Sequence, residues 1–313
     1  MSDHKKLVEV TRNSLVESEH FGSVVFNNEG FGKPEELMYP RSSLKLFQAA
    51  SVLALGVDLT SQQTAIAAAS HSGETVHIEV VTELLKKFGL SPTDLRSTPR
   101  LPLGIEPNIT AIRQGIAENS LMSDCSGKHA AFLAACVVNG WPLVEYLDSS
   151  HPLQQAIKAK IESWLDIRIS VTGVDGCGAP VFAMSLFDLA KGFALAINSG
   201  DELGHVAQAM SAHPYLVGGR ARLATEAMQQ LPGSIAKDGA EGVFVLAHKD
   251  HGSLAIKVSD GSIRPHSAIV AKVFAHWGRD STFSTQTPLG GGHPVGEIQI
   301  TAALDDFLAL RLQ

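Results

Sequence analysis

The chain has 313 residues, 44% of them apolar and 18% charged, with a formal net charge of −7 and an isoelectric point near 6.0. That balance argues against a nucleic-acid binder, which presents a basic face, and against a disordered chain, which buries too little apolar surface. The longest apolar run, Ala130 to Val138, falls well short of the roughly 20 residues of a membrane span, and no apolar stretch follows the opening Met-Ser-Asp-His-Lys-Lys, so no secretory leader is expected. Three cysteines, Cys125, Cys136 and Cys177, are an odd, sparse set that fits a reducing cytoplasm better than a disulfide framework.

Strands open the chain: 7–12 alternates and 21–26 is β-rich, with turn chemistry at Asn27-Asn28-Glu29-Gly30. From Ser43 to Leu55 the pattern turns helical, and Val76, Val80, Leu84 and Phe88, four apart, predict a helix over 76–88. A loop with prolines at 92, 99, 102 and 107 follows. Ala130–Val138 reads as a buried helix, stopped by Asn139-Gly140-Trp141-Pro142. Further helices are expected near 152–165, 184–198, 202–211 and 219–230. A hairpin is then expected from 242–248 and 253–259, followed by a helix near 266–277 and a last strand at 296–301. The Gly290-Gly291-Gly292 run before His293 reads as a loop. Strands thus cluster at both ends with helices between. The expected fold is α/β, a mainly antiparallel sheet built from both termini with helices packed on it. It is read as one domain over 1–313, its helical portion (about 43–230) inserted between the terminal strands.

Ser-x-x-Lys, the spacing of a serine nucleophile and a lysine base, occurs at Ser2/Lys5, Ser42/Lys45 and Ser234/Lys237. In a helix, positions three apart share a face, and a buried lysine loses its proton more readily. The same residues also read as ordinary helix punctuation. Two segments place a cysteine in a Gly- and Ser-containing turn: Ser123-Asp124-Cys125-Ser126-Gly127-Lys128-His129 and Asp175-Gly176-Cys177-Gly178. Two thiols with Asp175 suit a zinc ion, and His129 is either a further ligand or a partner for Cys125 as a nucleophile. The plainer alternative is that both thiols pack as small apolar groups. Cys136, within Ala134-Ala135-Cys136-Val137-Val138, reads as core. In Ala69-Ser70-His71-Ser72-Gly73-Glu74, Ser70 or Ser72 is a second polar catalytic candidate or a helix cap.

Arg41-Ser42-Ser43-Leu44-Lys45, Ala69-Ser70-His71-Ser72, Cys125-Ser126-Gly127-Lys128-His129 and Asp175-Gly176-Cys177 occur in that order. Together they resemble the Rhizobium etli-type L-asparaginases, also called class 3 or asparaginase II-like. The resemblance implies a fold similar to serine β-lactamases and penicillin-binding proteins. It also implies hydrolysis of L-asparagine to L-aspartate and ammonia, and a homodimer acting on a small molecule, with no nucleic acid or membrane as partner. By the same resemblance the catalytic pairs fall on Ser42 with Lys45 and Ser70 with Lys237. The ligands of a zinc that is structural or substrate-positioning fall on Cys125, Lys128, Asp175 and Cys177. Arg41, apart from what the resemblance implies, is a candidate to hold a substrate carboxylate or else an ordinary surface arginine. The alternatives are a glutaminase or other serine–lysine amidohydrolase, or a zinc-stabilised binding protein without turnover. Ammonia release from L-asparagine separates them.

Overall fold

The structure is a computed structural model and describes residues 4–310. Ser2, of the first Ser-x-x-Lys match, therefore lies outside the described residues. β1 (Lys5–Arg12) and β2 (Leu15–Phe26) are joined by a tight turn at Asn13 and Ser14, both with positive φ. Asn27 and Asn28, at φ 49° and 66°, then turn β2 into β3 (Glu29–Phe31), the left-handed pair that a two-residue hairpin demands. After a 3-10 turn at Arg41–Leu44 come α1 (Lys45–Ala54), α2 (Ser61–Ala67), α3 (Thr75–Lys87), α4 (Ile105–Arg113), α5 (Ser126–Asn139) and α6 (Pro152–Leu165). A short hairpin of β4 (Thr172–Val174) and β5 (Pro180–Phe182) leads into α7 (Leu186–Asn198), α8 (Glu202–Ala212), α9 (Pro214–Val217) and α10 (Leu223–Gln230). β6 (Ile235–Gly239), β7 (Val243–His248), β8 (Gly252–Val258), α11 (His266–His276), β9 (Leu289–Gly290), β10 (His293–Pro294), β11 (Ile298–Ile300) and α12 (Ala302–Ala309) complete the described chain.

These elements fall into two compact units. The first comprises Met1–Ser43, Met184–Ala194 and Ala236–Gln313. Its sheet runs β11-β1-β2-β8-β7-β6, with β3 added on β2. The pairings of β1 with β11 and β2, and of β8 with β2 and β7, are all antiparallel. Strands from both ends of the chain meet at β2 and β8, where Val24 opposes Ile256 and Val25 opposes Ala255. Those four side chains are fully buried. At roughly 1.5–3 kcal/mol for each large apolar side chain taken out of water, this seam fixes the register. The second unit, Leu44–Ala183 and Leu195–Ile235, is helical. α5 lies at its centre, touching α1, α2, α3 and α6, and all of its first eleven residues are buried.

The antiparallel sheet from both termini and the helical middle agree with the sequence reading. Local differences have physical causes. The first turn of the Ser43–Leu55 helix is a 3-10 turn, and α1 proper starts at Lys45. α3 buries His77, Val80, Val81, Leu84 and Leu85 and leaves Val76 exposed, so its inward stripe is set by the three-four alternation rather than by a strict fourfold step. The proline-rich segment contains α4, because Pro107 sits in the first turn, where no N–H is missed. β6 pairs as an edge strand of its own, α12 follows the last strand, and the Gly290–Gly292 run is the turn of the β9–β10 hairpin. The helix expected from 219 begins at Leu223.

His266, at the first position of α11, is buried at 3% exposure beside the Phe244 ring, and its Nε2 has no hydrogen-bond partner. Burial pushes its pKa down to about 4; a hydrogen bond at Gly242 and the charge of Asp238 oppose this, and Lys257 adds to it. The folded state therefore refuses a proton that the unfolded chain accepts near pH 6.5. Stability is full above that pH and falls as pH drops toward 4, by on the order of 3 kcal/mol from this group. Urea midpoints at pH 7 and pH 4.5 should differ less in His266→Gln than in the wild type.

Candidate active site

Lys45 is the first residue of α1, and its side chain is 1% exposed. A buried ammonium must be hydrogen-bonded, because the unpaired charge would cost several kcal/mol. Here Nζ donates to the Ala69 carbonyl at 2.7 Å, the Ser70 hydroxyl at 2.9 Å and the Asp124 carbonyl at 3.5 Å, with the Asp124 carboxylate at 3.7 Å. Ser70 lies just beyond α2, and its backbone N–H donates to the Val217 carbonyl. The serine and lysine of two separate sequence segments are thus one pair.

His71 and Ser72 fix this stretch. The His71 Nδ1 accepts the Gly73 N–H, so the ring proton sits on Nε2 and is donated to the Ser126 hydroxyl at 2.9 Å. The ring is fully buried and stacks on His77, which stacks in turn on Tyr215. Burial, and then the neighbouring His77, hold His71 well below the usual histidine range, so it serves as a neutral spacer. Ser72 donates to the Gly218 carbonyl. Gly127 in the second turn position of α5 has a steric cause: a Cβ there would stand 2.2 Å from the Ile66 carbonyl oxygen. Only glycine lets α5 approach α2 this closely.

Residues 218–222 form the loop between α9 and α10, and one carboxylate clamps this loop together with Tyr215 of α9. Glu74 accepts from the Tyr215 hydroxyl and, at 3.0 Å, from the Arg220 N–H. Gly219 (φ 108°) passes so close that a Cβ would meet the Ser72 hydroxyl at 2.5 Å, and Ala221 is left-handed at φ 55°. The loop delivers the Arg222 guanidinium to the Ser70 carbonyl, with Nη1 at 3.4 Å.

Cys125, Lys128 and Cys177 also converge. Lys128 is 2% exposed, and its Nζ lies 3.1 Å from the Cys177 sulfur. The Cys125 thiol shares its proton with Cys177, which pushes Cys125 up and Cys177 down; Lys128 and His129 further favour the Cys177 thiolate. Burial opposes the Lys128 charge, but the charges of Cys177, Cys125 and Asp175 outweigh it and raise its pKa. The electrostatics of the cluster thus favour the proton on Cys125 and negative charge on Cys177, beside the Lys128 ammonium. Tyr146 accepts the Arg96 N–H and offers its own proton to His129 Nδ1 at 2.8 Å. His129 Nε2, buried and otherwise unpartnered, is turned toward Cys177. Asp175 opens the β4–β5 turn, where its carboxylate accepts the Gly176 N–H at 2.8 Å. Among the described residues, no three His, Cys, Asp or Glu form a metal-binding group, so a metal reading depends on Lys128 beside the two sulfurs. Cys136 is fully buried core, as the sequence implies.

In the first unit, Arg41 is left-handed (φ 50°), and its guanidinium lies 3.9 Å from Glu241. Ser42 is half-buried, whereas Ser43 is fully buried with its hydroxyl 3.4 Å from the Lys237 carbonyl. Lys237 is buried in β6 and donates to the Asp238 carbonyl at 2.8 Å. A Cβ on Gly239 would meet the Pro40 carbonyl at 2.6 Å, so this edge strand lies directly against the turn that carries Ser42.

Two charged residues beside the Lys45–Ser70 pair escape the sequence reading. Asp124 stands next to Cys125 in a segment read for its thiol, and Arg222 falls inside a stretch read as helix. A buried lysine announces a need for acceptors, but the sequence does not say which residues supply them.

The sequence model for L-asparaginase II matches residues 8–300. The chain belongs to the L-asparaginase II family. Membership makes it a hydrolase acting on amides. Among curated proteins none matches. Among solved structures, one titled as the crystal structure of a "putative beta-lactamase" from Bacteroides dorei DSM 17855 is similar, at 16% identity and a TM-score of 0.40, over 82% of this chain and 86% of that one. Among the described residues, no helix is long and apolar enough to cross a membrane.

Proposed function

We propose that the protein is an L-asparaginase of the Rhizobium etli type, hydrolysing L-asparagine to L-aspartate and ammonia with Ser42 as the nucleophile. The observation that carries this reading is the buried Lys45 amine, 2.9 Å from the Ser70 hydroxyl in a member of the family. Ser42 is favoured over Ser43 because Ser43 is fully buried and Ser42 is half-buried. In the proposed sequence, the Ser42 Oγ attacks the side-chain amide carbon and its proton passes to Lys45. Ser70, already in contact with Lys45, relays a proton to the departing ammonia. Water then attacks the seryl ester, returns a proton through the same lysine, and releases aspartate. Lys237 is the second lysine of the proposal, serving Ser70. Lys45 acts as a base only after giving up one of the protons it now donates. Arg41, next to Ser42, is the proposed contact for the substrate carboxylate.

Zinc is the proposed metal. Two sulfurs, one amine and one carboxylate, from Cys125, Cys177, Lys128 and Asp175, form a donor set that suits zinc over magnesium or calcium. The sulfur–amine distance of 3.1 Å and the orphaned His129 Nε2 beside it support the fit. Lys128 would bind as the neutral amine, so binding releases its proton. The ion would supply a fixed cross-link between the α5 start and the β4–β5 turn. The three buried, unlinked thiols support a reducing, cytoplasmic location.

The proposed partner is a second copy of the chain. α4 and the residues around it expose Ile105, Ile109, Ile112 and Ile116 at 76, 36, 60 and 37%, an apolar ridge at helical spacing. Glu106 and Arg113 flank it near opposite ends of α4. Packing two such helices antiparallel about a twofold axis sets each Glu106 near the other copy's Arg113, a self-complementary arrangement.

Purified protein should release ammonia from L-asparagine, with a kcat/KM at least about a hundredfold above that for L-glutamine, whose extra methylene displaces the amide. Ser42→Ala should lower kcat by several orders of magnitude with the fold intact, and Ser43→Ala far less. Near-normal turnover by folded Ser42→Ala removes the nucleophile assignment. Equal rates on both amides favour a glutaminase, and turnover of neither favours a binding protein.

Elemental analysis of protein purified without chelator should find about one zinc per chain. Cys177→Ser should lose it; a metal-free wild type leaves the thiols as packing groups. Light scattering should report a dimer that Ile109→Glu converts to monomer, and a wild-type monomer rejects the α4 ridge as the contact.

A further inference from the structure

Residues 101–118 leave the body of the helical unit and return to it. Of these residues only Pro102 and Ala111 are buried. α4, the nine-residue helix within this excursion, buries Ala111 alone. A helix that short is marginal in water even when built from the best helix formers, and α4 is built largely from isoleucine and polar residues. Leu103 adds a further 53% exposed side chain beside the isoleucine ridge. The chain itself supplies little that holds α4, so its stabilisation comes from whatever covers the ridge. Glu106 and Arg113, both exposed and of opposite sign near opposite ends of α4, make a second copy of the chain the matching cover.

Both feet of the excursion stand on the segment that carries Ser70. On the outgoing side, the Gly104 N–H at the start of α4 donates to the Ser72 carbonyl at 2.8 Å. The fit leaves no slack. A Cβ on Gly104 would stand 2.9 Å from the Ser72 Cβ, and one on Gly73 would stand 2.8 Å from Pro102 and 3.3 Å from the Met122 carbonyl. On the returning side, Arg100 and Asn119 exchange backbone hydrogen bonds at 3.2 and 3.3 Å, and the Asn119 carboxamide accepts the Met122 N–H at 3.0 Å. Two residues further, the Asp124 carbonyl accepts both the His71 N–H at 3.2 Å and Lys45 Nζ at 3.5 Å. Ser72 and Gly73 are thus gripped between the two feet, and the same short stretch holds the Ser70 hydroxyl 2.9 Å from Lys45.

We propose that the α4 excursion is a strut that makes catalysis depend on dimer formation. A second copy covers the isoleucine ridge and orders residues 101–118, and the two feet then fix Ser70 and the Asp124 carbonyl around Lys45. The separated chain keeps its fold but loses the alignment of the pair. This rests on the amidohydrolase reading of Lys45 and Ser70 and on the ridge as the dimer contact, and it goes beyond both by making the first depend on the second.

The test reads association by light scattering, fold by circular dichroism and turnover by ammonia release from L-asparagine. Folded, monomeric Ile109→Glu should have a kcat at least about tenfold below the wild-type dimer, because misplacement at a reacting centre is costly. Charge exchange separates coupling from local damage. Glu106→Arg and Arg113→Glu each set like charges together in their own dimer, so each alone should associate and turn over poorly. Mixing the two variants restores both opposite-charge contacts, and at least about half of the wild-type rate should return with the dimer. Gly104→Ala cuts the strut at its foot and should stay dimeric while losing at least about tenfold in kcat. Full kcat in monomeric Ile109→Glu or in dimeric Gly104→Ala overturns the strut. So does a mixed dimer that forms without regaining turnover, or a wild type that is monomeric at every concentration. If a dimeric wild type releases no ammonia, the amidohydrolase reading fails, and the strut is judged by hydrogen exchange. Gly104 and His71 amides that exchange at least about tenfold faster in Ile109→Glu than in the wild type uphold it, and equal exchange overturns it.

Discussion

The buried charge of Lys45 is the constraint around which the helical unit is built. At 1% exposure it has to be met by oxygens, and the three that meet it come from Ala69, Ser70 and Asp124. Those residues stand at the exit of α2 and just before α5. Satisfying the lysine therefore fixes where two helices of distant sequence sit. The close approach of α2 and α5 is in turn possible only because position 127 is glycine. The Gly of Cys-Ser-Gly-Lys-His is thus part of the lysine's environment, though it touches no reacting atom.

Three buried lysines have three different kinds of partner. Lys45 is met at close range by a carbonyl and a hydroxyl, Lys237 by the carbonyl of its own neighbour Asp238, and Lys128 by a thiolate. A lysine locked to an anion holds its proton, which is why the charges around the sulfur cluster, Cys177 first, outweigh burial at Lys128. Lys45 and Lys237 instead have neutral oxygens at closest range and a carboxylate farther off, Asp124 at 3.7 Å and Asp238 at 3.4 Å, and Lys45 touches a hydroxyl along which a proton can pass. That difference in partners, which their common burial alone would not reveal, supports the proposed roles of Lys128 at a metal and Lys45 in proton transfer. Asp124 joins the two groups, since its carboxylate lies 3.7 Å from Lys45 Nζ and accepts the Cys125 thiol at 3.5 Å. A change in the charge of the sulfur cluster is therefore felt electrostatically at the lysine.

Periodicity made the sheet and most helices legible, because strands such as β7 and β8 and helices such as α5 and α6 bury their apolar residues at the spacing their backbone dictates. Edges and ends were less legible. β6 is short and carries Lys237 and Asp238 in its middle, so it offers no apolar alternation and exists because β7 pairs with it. α4 has an apolar ridge facing outward, and its prolines read as loop. In the candidate site, Cys125 and Cys177 were legible as turn-borne thiols and Lys128 joined them through the family resemblance; the structure brings these three together. The Lys45–Ser70 contact was not legible: 25 residues separate its members, and the resemblance pairs Lys45 with Ser42 and Ser70 with Lys237.

The loop before α10 shows why the remainder was hidden. Arg220, Ala221 and Arg222 have ordinary helical propensities, and Leu223 onward is helical, so local preference extends the helix back to 219. The backbone does otherwise because Glu74, nearly 150 residues earlier in the chain, captures the Arg220 N–H and the Tyr215 hydroxyl. A left-handed alanine costs on the order of 1 kcal/mol, and two hydrogen bonds to a carboxylate, worth about 1.5–3 kcal/mol each, more than offset it. Glu74 also stands at the start of α3, so the residue that begins one helix decides where another begins. Without that distant carboxylate the loop would relax toward helix, and Arg222 would be carried around the helix axis, away from the Ser70 carbonyl. The position of the guanidinium is therefore a property of the packed unit and not of the segment that contains it.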